Sequence, residues 1–194
     1  KGEPQRYSGP RSLLDSLEDF RYNIDGLPFP MIESSILAAR AKILLSEKKS
    51  GRWAEAMQDF DEALGVSSRG QSRDVAEMIR QAKLKAYLEK IKICVKYQKW
   101  ADAERTALSF RKDFPRCKIK WLSYKMEIER AKSVAHLADA GKNGYSLKAA
   151  MDILVALQRR VPKTNPWHRN IEDTINPLNE LTGVHAVDDP EILF

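Results

Sequence analysis

The chain has 194 residues, 43% hydrophobic and 31% charged, with a formal net charge of +6. That length can bury a sizeable core, and the balance is that of a folded, helix-rich chain, not a disordered one. No apolar run approaches the roughly 18 residues of a membrane-spanning helix, and two cysteines, Cys94 and Cys117, are too few for a disulfide framework.

Both cysteines sit beside apolar stripes, which predicts buried free thiols in a reducing, intracellular compartment: the cytoplasm, or the interior of a plastid or mitochondrion. No signal-like segment opens the chain. A start at Lys1 fits removal of a transit peptide and fits a longer N-terminus equally, and both readings stand.

Residues 1–10 read as an extended lead-in with two prolines and two glycines. Leu13, Leu17 and Phe20 fall at helical spacing behind Ser12, predicting a short amphipathic helix to about Asn23. Pro28 and Pro30 exclude regular helix from Ile24 to Pro30, a linker whose Leu27 and Phe29 are expected to pack on the body. Residues 1–30 are therefore set apart from the helical body of the chain.

Helix-forming sequence returns at Met31 and runs to about Lys49, where Ser50-Gly51 ends it. Trp53 to Leu64 is the partner helix. Ser72 is a candidate N-cap for a long helix from Arg73 to about Tyr97, with Asp74 in its first turn. Ala101 to Asp113 is predicted to return antiparallel to it, stopping before Pro115. Another long helix is predicted from Lys118 to about Ala140. The turn Gly141-Lys142-Asn143-Gly144 comes next, then a Ser146-capped helix that stops before Pro162. A last helix starts at Pro166 in the favoured first position, and Pro177 is expected to interrupt or end it. The loop-like tail from Gly183 ends in Ile192, Leu193 and Phe194, which are expected to dock on a neighbour.

The pairs share a frame. Trp53, Ala56, Phe60, Ala63 and Ser68 correspond to Trp100, Ala103, Ala107, Phe110 and Pro115, and again to Leu147, Ala150, Leu154, Leu157 and Pro162. The anchors Ala56, Ala103 and Ala150 are 47 residues apart each time, a period typical of helical repeat arrays. In the second unit Ala107 and Phe110 exchange the large and small positions, which would conserve volume.

An aromatic, an alanine three residues on, a large apolar residue, a second alanine and a closing proline together resemble the second helix of a tetratricopeptide repeat (TPR). Trp53, Ala56, Phe60 and Ala63 match best. The Trp-x-x-Leu-Gly pattern of that family's first helices is absent, and its period is about 34 residues. The resemblance covers roughly residues 34–162. It implies an all-α fold in which antiparallel helix pairs stack as a short right-handed α-solenoid of about seven to eight helices. Three pairs would occupy residues 31–165, and a capping helix and tail residues 166–194. The family's ligands lie in the groove lined by first helices. Lys42, Lys85 and Lys92 are available there without an accompanying asparagine, so no carboxylate clamp is expected.

Nothing points to catalysis. His136, His168 and His185 are dispersed, and HExxH, CxxC, GxSxG and a glycine-rich phosphate loop are all missing from the sequence. A non-enzyme without cofactor, metal or small-molecule substrate is expected. Charge gives the functional lead: residues 73–132 carry 17 Lys/Arg against 8 Asp/Glu. Lys85, Lys92, Lys96 and Lys99 form one stripe on the long helix, expected to lie opposite Leu84, Leu88, Ile91 and Val95. With Lys118, Lys120, Trp121 and Trp167 they are the candidate contacts for a protein with an acidic surface. The expected role is an interaction scaffold, an accessory subunit or assembly factor of a larger complex. An RNA-binding helical repeat is the alternative, and peripheral contact with an anionic membrane stays open.

Overall fold

The computed structural model describes residue 41, residues 52–70 and residues 72–182. The predicted helix ending near Asn23, the linker with Leu27 and Phe29, nearly all of the predicted Met31–Lys49 helix, Lys42, His185 and the tail from Gly183 lie outside the described residues. Among the described residues there are six helices and no strand, so the all-α expectation holds there. No described helix is long and apolar enough to cross a membrane.

The chain divides into two compact units, residues 1–90 and 91–194. In the first, α1 (Trp53–Gly65) buries Ala56, Met57, Phe60, Ala63 and Leu64 on one face. The intervals of three and four residues place these side chains on a single stripe. The boundary between the units falls inside α2 (Arg73–Lys96). Ser72 caps α2 by accepting the Val75 N–H at 3.4 Å, which satisfies one of the free amides of the first turn. In the first unit α2 buries Ile79, Leu84, Ala86 and Tyr87. Its Lys90 is buried too, and its ammonium pairs with the exposed carboxylate of Asp61 on α1. The pairing offsets the desolvation that a lone buried ammonium would suffer.

The second unit holds the last turns of α2, then α3 (Trp100–Asp113), α4 (Lys120–Asp139), α5 (Leu147–Arg160) and α6 (Pro166–Thr182). The α2–α3 connection is tight. The Lys99 N–H reaches the Cys94 carbonyl at 2.8 Å and the Gln98 N–H reaches Val95 at 3.0 Å. That is a Schellman closure, and it sets Gln98 in the left-handed region at φ 55°. At the end of α4 the same closure runs from Lys142 to Leu137 and from Gly141 to Ala138, with Gly141 at φ 68°.

Helix α4 is the centre of this unit, packing against α3, α5 and α6. Contacts on three sides explain why it buries Leu122, Met126, Ile128, Ala131, Ser133, Val134, Ala135 and Leu137 instead of a single stripe. Ala131, Ser133 and Ala135 keep its surface low where neighbours approach. The ring of Trp100, at the start of α3, stacks on that of His136, near the end of α4, at 3.9 Å. Arg111, at the end of α3, pairs with Glu127, near the start of α4, at 3.9 Å. The two helices are therefore antiparallel. Tyr145, just before α5, lies close enough to Glu104, in the first turns of α3, for that carboxylate to raise the pKa of its phenol, so α3 and α5 begin on the same side.

A shared core joins α4, α5 and α6 through Ile128, Val134, Leu154, Leu157, Ile171 and Ile175. Ser146 caps α5 by accepting the Ala149 N–H at 3.1 Å, as predicted. Asn165 accepts the Trp167 N–H at 3.0 Å and opens α6 with Pro166 in the first position. Pro177, expected to interrupt or end this helix, lies inside it, and the helix continues to Thr182. The apolar face explains the continuity. Ile171 and Ile175 bury before the proline and Leu178 after it, which offsets a helix penalty of about 3 kcal/mol.

Helices α1, α3 and α5 begin at Trp53, Trp100 and Leu147, 47 residues apart each time, and α2 and α4 begin at Arg73 and Lys120, again 47 apart. Ala56, Ala103 and Ala150 are each 0% exposed. One turn on, Phe60, Ala107 and Leu154 are buried, and so are Ala63, Phe110 and Leu157 after them. Both members of the exchanged pair, Ala107 and Phe110, thus lie in the interior.

Candidate interaction groove

Two cavities of the second unit share Lys125 and Glu129 in their walls. The larger, about 660 Å³, runs between α4 and α6, with Ile128, Ala135, Leu147, Trp167 and Leu178 giving apolar surface. Lys132, His136, Asp139, Asn170 and Asp173 are among its polar lining. The smaller, about 220 Å³, lies between the last turns of α2 and α4 and is lined by Ile91, Lys92, Val95 and Lys96 as well as the shared pair. The positions follow from helix geometry. Lys125, Glu129 and Lys132 recur at intervals of four and three and so share one face of α4.

Glu129 is the point where the two cavities meet. Its side chain belongs to a residue 9% exposed, with Lys125 Nζ at 3.4 Å and Lys132 Nζ at 4.0 Å from Oε1. Its other oxygen, Oε2, is buried and has no hydrogen-bond partner among the described residues. A buried acceptor left in this state is costly. Charge along the groove is graded. Lys92, Lys96 and Lys125 gather at the α2 end, while Asp139 and Asp173 line the larger cavity.

The predicted contacts do not form one patch. Lys92 and Lys96 line the smaller cavity, and Trp167, half-buried against the α4–α6 core, lines the larger. Lys99 is exposed in the α2–α3 turn, and Lys118, Lys120 and Trp121 are exposed where α4 begins. Lys85 is exposed on the part of α2 that belongs to the first unit. The four stripe lysines thus all face outward. Of the residues expected opposite them, Leu84 and Ile91 are buried, but Leu88 and Val95 are only half-buried, Val95 because it faces the smaller cavity. Sequence reasoning missed Lys125, Glu129 and Lys132. Their helical spacing was a usable signal, but nothing in it said that α6 would come alongside.

Cys94 and Cys117 are both buried, and the Cys117 thiol donates to the Ile119 carbonyl at 3.6 Å. His168 is buried at the α5–α6 junction, its Nδ1 3.1 Å from the Val161 carbonyl and its Nε2 3.3 Å from the Glu172 carboxylate, which makes it a local clasp. His136 is exposed and stacked on Trp100. Among the described residues no three His, Cys, Asp or Glu side chains are grouped so as to hold a metal ion. No family model matches the chain, and neither a curated protein nor a solved structure matches it.

Proposed function

We propose that the chain is a non-enzymatic interaction scaffold, a TPR-like helical repeat that holds a partner protein as an accessory subunit or assembly factor of a larger complex. The groove carries the reading: two adjoining cavities with apolar walls, three lysines at one end and a buried, unsatisfied carboxylate oxygen between them. Apolar surface supplies affinity for a protein segment, and the few fixed polar groups supply its register. The recurrence of helix starts and buried alanines every 47 residues supports the stacked-pair, α-solenoid organisation.

The segment expected here has acidic residues that meet Lys92, Lys96 and Lys125, an apolar anchor beside Trp167 and Leu178, and a donor for Glu129. Screening the full chain against a peptide library with one apolar anchor and varied acidic positions tests this. Selected peptides should be acidic, and the triple variant K92E/K96E/K125E should weaken them by about 2 kcal/mol or more at low salt. Selection of basic peptides, or binding unchanged in the triple variant, overturns the reading.

A further inference from the structure

A second surface lies at one edge of the second unit. Because α3 and α5 both run antiparallel to α4, their C-terminal ends emerge together on the side where α4 and α6 begin. Two stretches lie at this end of the unit, residues 111–121 after α3 and residues 159–169 after α5. The first contributes Arg111, Lys112, Arg116, Lys118 and Lys120, and the second Arg159, Arg160, Lys163 and Arg169, all exposed. Against these nine cations the two stretches hold one carboxylate, Asp113. The opposite edge, residues 97–105 and 136–148, carries four cations and three carboxylates. The excess is therefore a property of one side and not of helix surfaces in general.

These cations are largely uncommitted. Arg111 pairs with Glu127, and Arg160 donates to the Ala156 carbonyl at 3.2 Å. The other seven make no ion pair or hydrogen bond among the described residues. Trp121 and Trp167 occupy the second positions of α4 and α6, the two helices that start here. Trp121 is 45% exposed and presents an open indole among the cations.

We propose that this edge binds a single-stranded polynucleotide, with phosphates held by the arginines and lysines and a base stacked on Trp121. Five of the nine cations are arginines, whose planar forks match phosphate oxygens two at a time. An acidic protein surface would also use the charge, but the exposed indole next to it gives an unpaired base a face to stack on. The groove and this edge adjoin at Trp167, which lines the larger cavity, so the base is assigned to Trp121 and not to Trp167.

Fluorescence anisotropy of the full chain with labelled oligouridylate and oligothymidylate of about 15 nucleotides tests the idea. Binding is expected at about 50 mM salt and should fall steeply by about 200 mM. The variant R116E/K118E/R159E/K163E should lose about 100-fold or more in affinity. Trp121→Ala should lose about 5- to 150-fold with little change in salt dependence. The neutral variant R116Q/K118Q/R159Q/K163Q should lower the slope of log affinity against log salt by about 3, since each single-strand phosphate contributes about 0.7. A misfolded protein would not give that graded change. Equal affinity for both oligomers assigns the contact to phosphate and base face, and a preference for the uridylate adds a 2′-hydroxyl contact; either result supports the site. An unchanged slope in the neutral variant, or an equal loss in K92E/K96E, overturns it. So does capture by polyglutamate or phosphatidylserine vesicles with no oligonucleotide binding at low salt.

Discussion

Replacing Ala103 with leucine probes the packing on which the fold and both surfaces depend. Ala103 is 0% exposed, on the face of α3 that also buries Thr106, Ala107 and Phe110, and α3 packs directly on the central helix α4. The added carbons have no room to enter without pushing the helices apart or forcing a poor rotamer, which costs about 1–3 kcal/mol. For a two-state chain of this size each kcal/mol moves the melting temperature by about 2–4 °C, so a drop of about 2–12 °C is expected. Ala101→Leu is the matched control. Ala101 is on the same helix but exposed, and its substitution should stay within about 0.5 kcal/mol. Melting followed by circular dichroism reads both. If Ala103→Leu melts with the parent, α3 and α4 do not approach as described, and the 47-residue register fails with them.

Further expectations concern single contacts. Gln98→Gly should stabilise by about 1 kcal/mol in chemical denaturation, because glutamine at φ 55° carries left-handed strain that glycine avoids. Gly141→Ala should destabilise by about 1 kcal/mol, and purely through conformation, since nothing lies within 4 Å of the added carbon. His168→Ala removes the side-chain partner of the Val161 carbonyl and should cost about 1–2 kcal/mol, seen as a lower melting temperature. Tyr145 should ionise above the ordinary tyrosine value of 10.0, because its hydrogen bond to Glu104 favours the protonated phenol. The contribution of that bond is present below about pH 10 and is lost as pH rises through the raised folded value. Ultraviolet titration should show Glu104→Gln returning this tyrosine toward the ordinary range.

Local rules written into the sequence determined most of the helices. Ser72 and Ser146 begin helices because their side chains accept first-turn amides, and Pro115 and Pro162 lie just beyond helix ends for want of an amide proton. The recurrence of Ala56, Ala103 and Ala150 located three buried positions, since a small residue on an apolar stripe marks where a helix meets a neighbour. The same reasoning reached its limit at Pro177, where a local penalty was outweighed by Ile171, Ile175 and Leu178 packing on α4 and α5. It also treated the lysines as one stripe on one helix. Only the tertiary arrangement decided that Lys92 and Lys96 share a cavity wall with Lys125 and Glu129. Nor does any local pattern place residues 111–121 at the same end of the unit as residues 159–169. That juxtaposition needs two helices to run antiparallel to a third, and the energy that sets it lies in buried contacts between residues far apart in the chain, which helical periodicity does not encode.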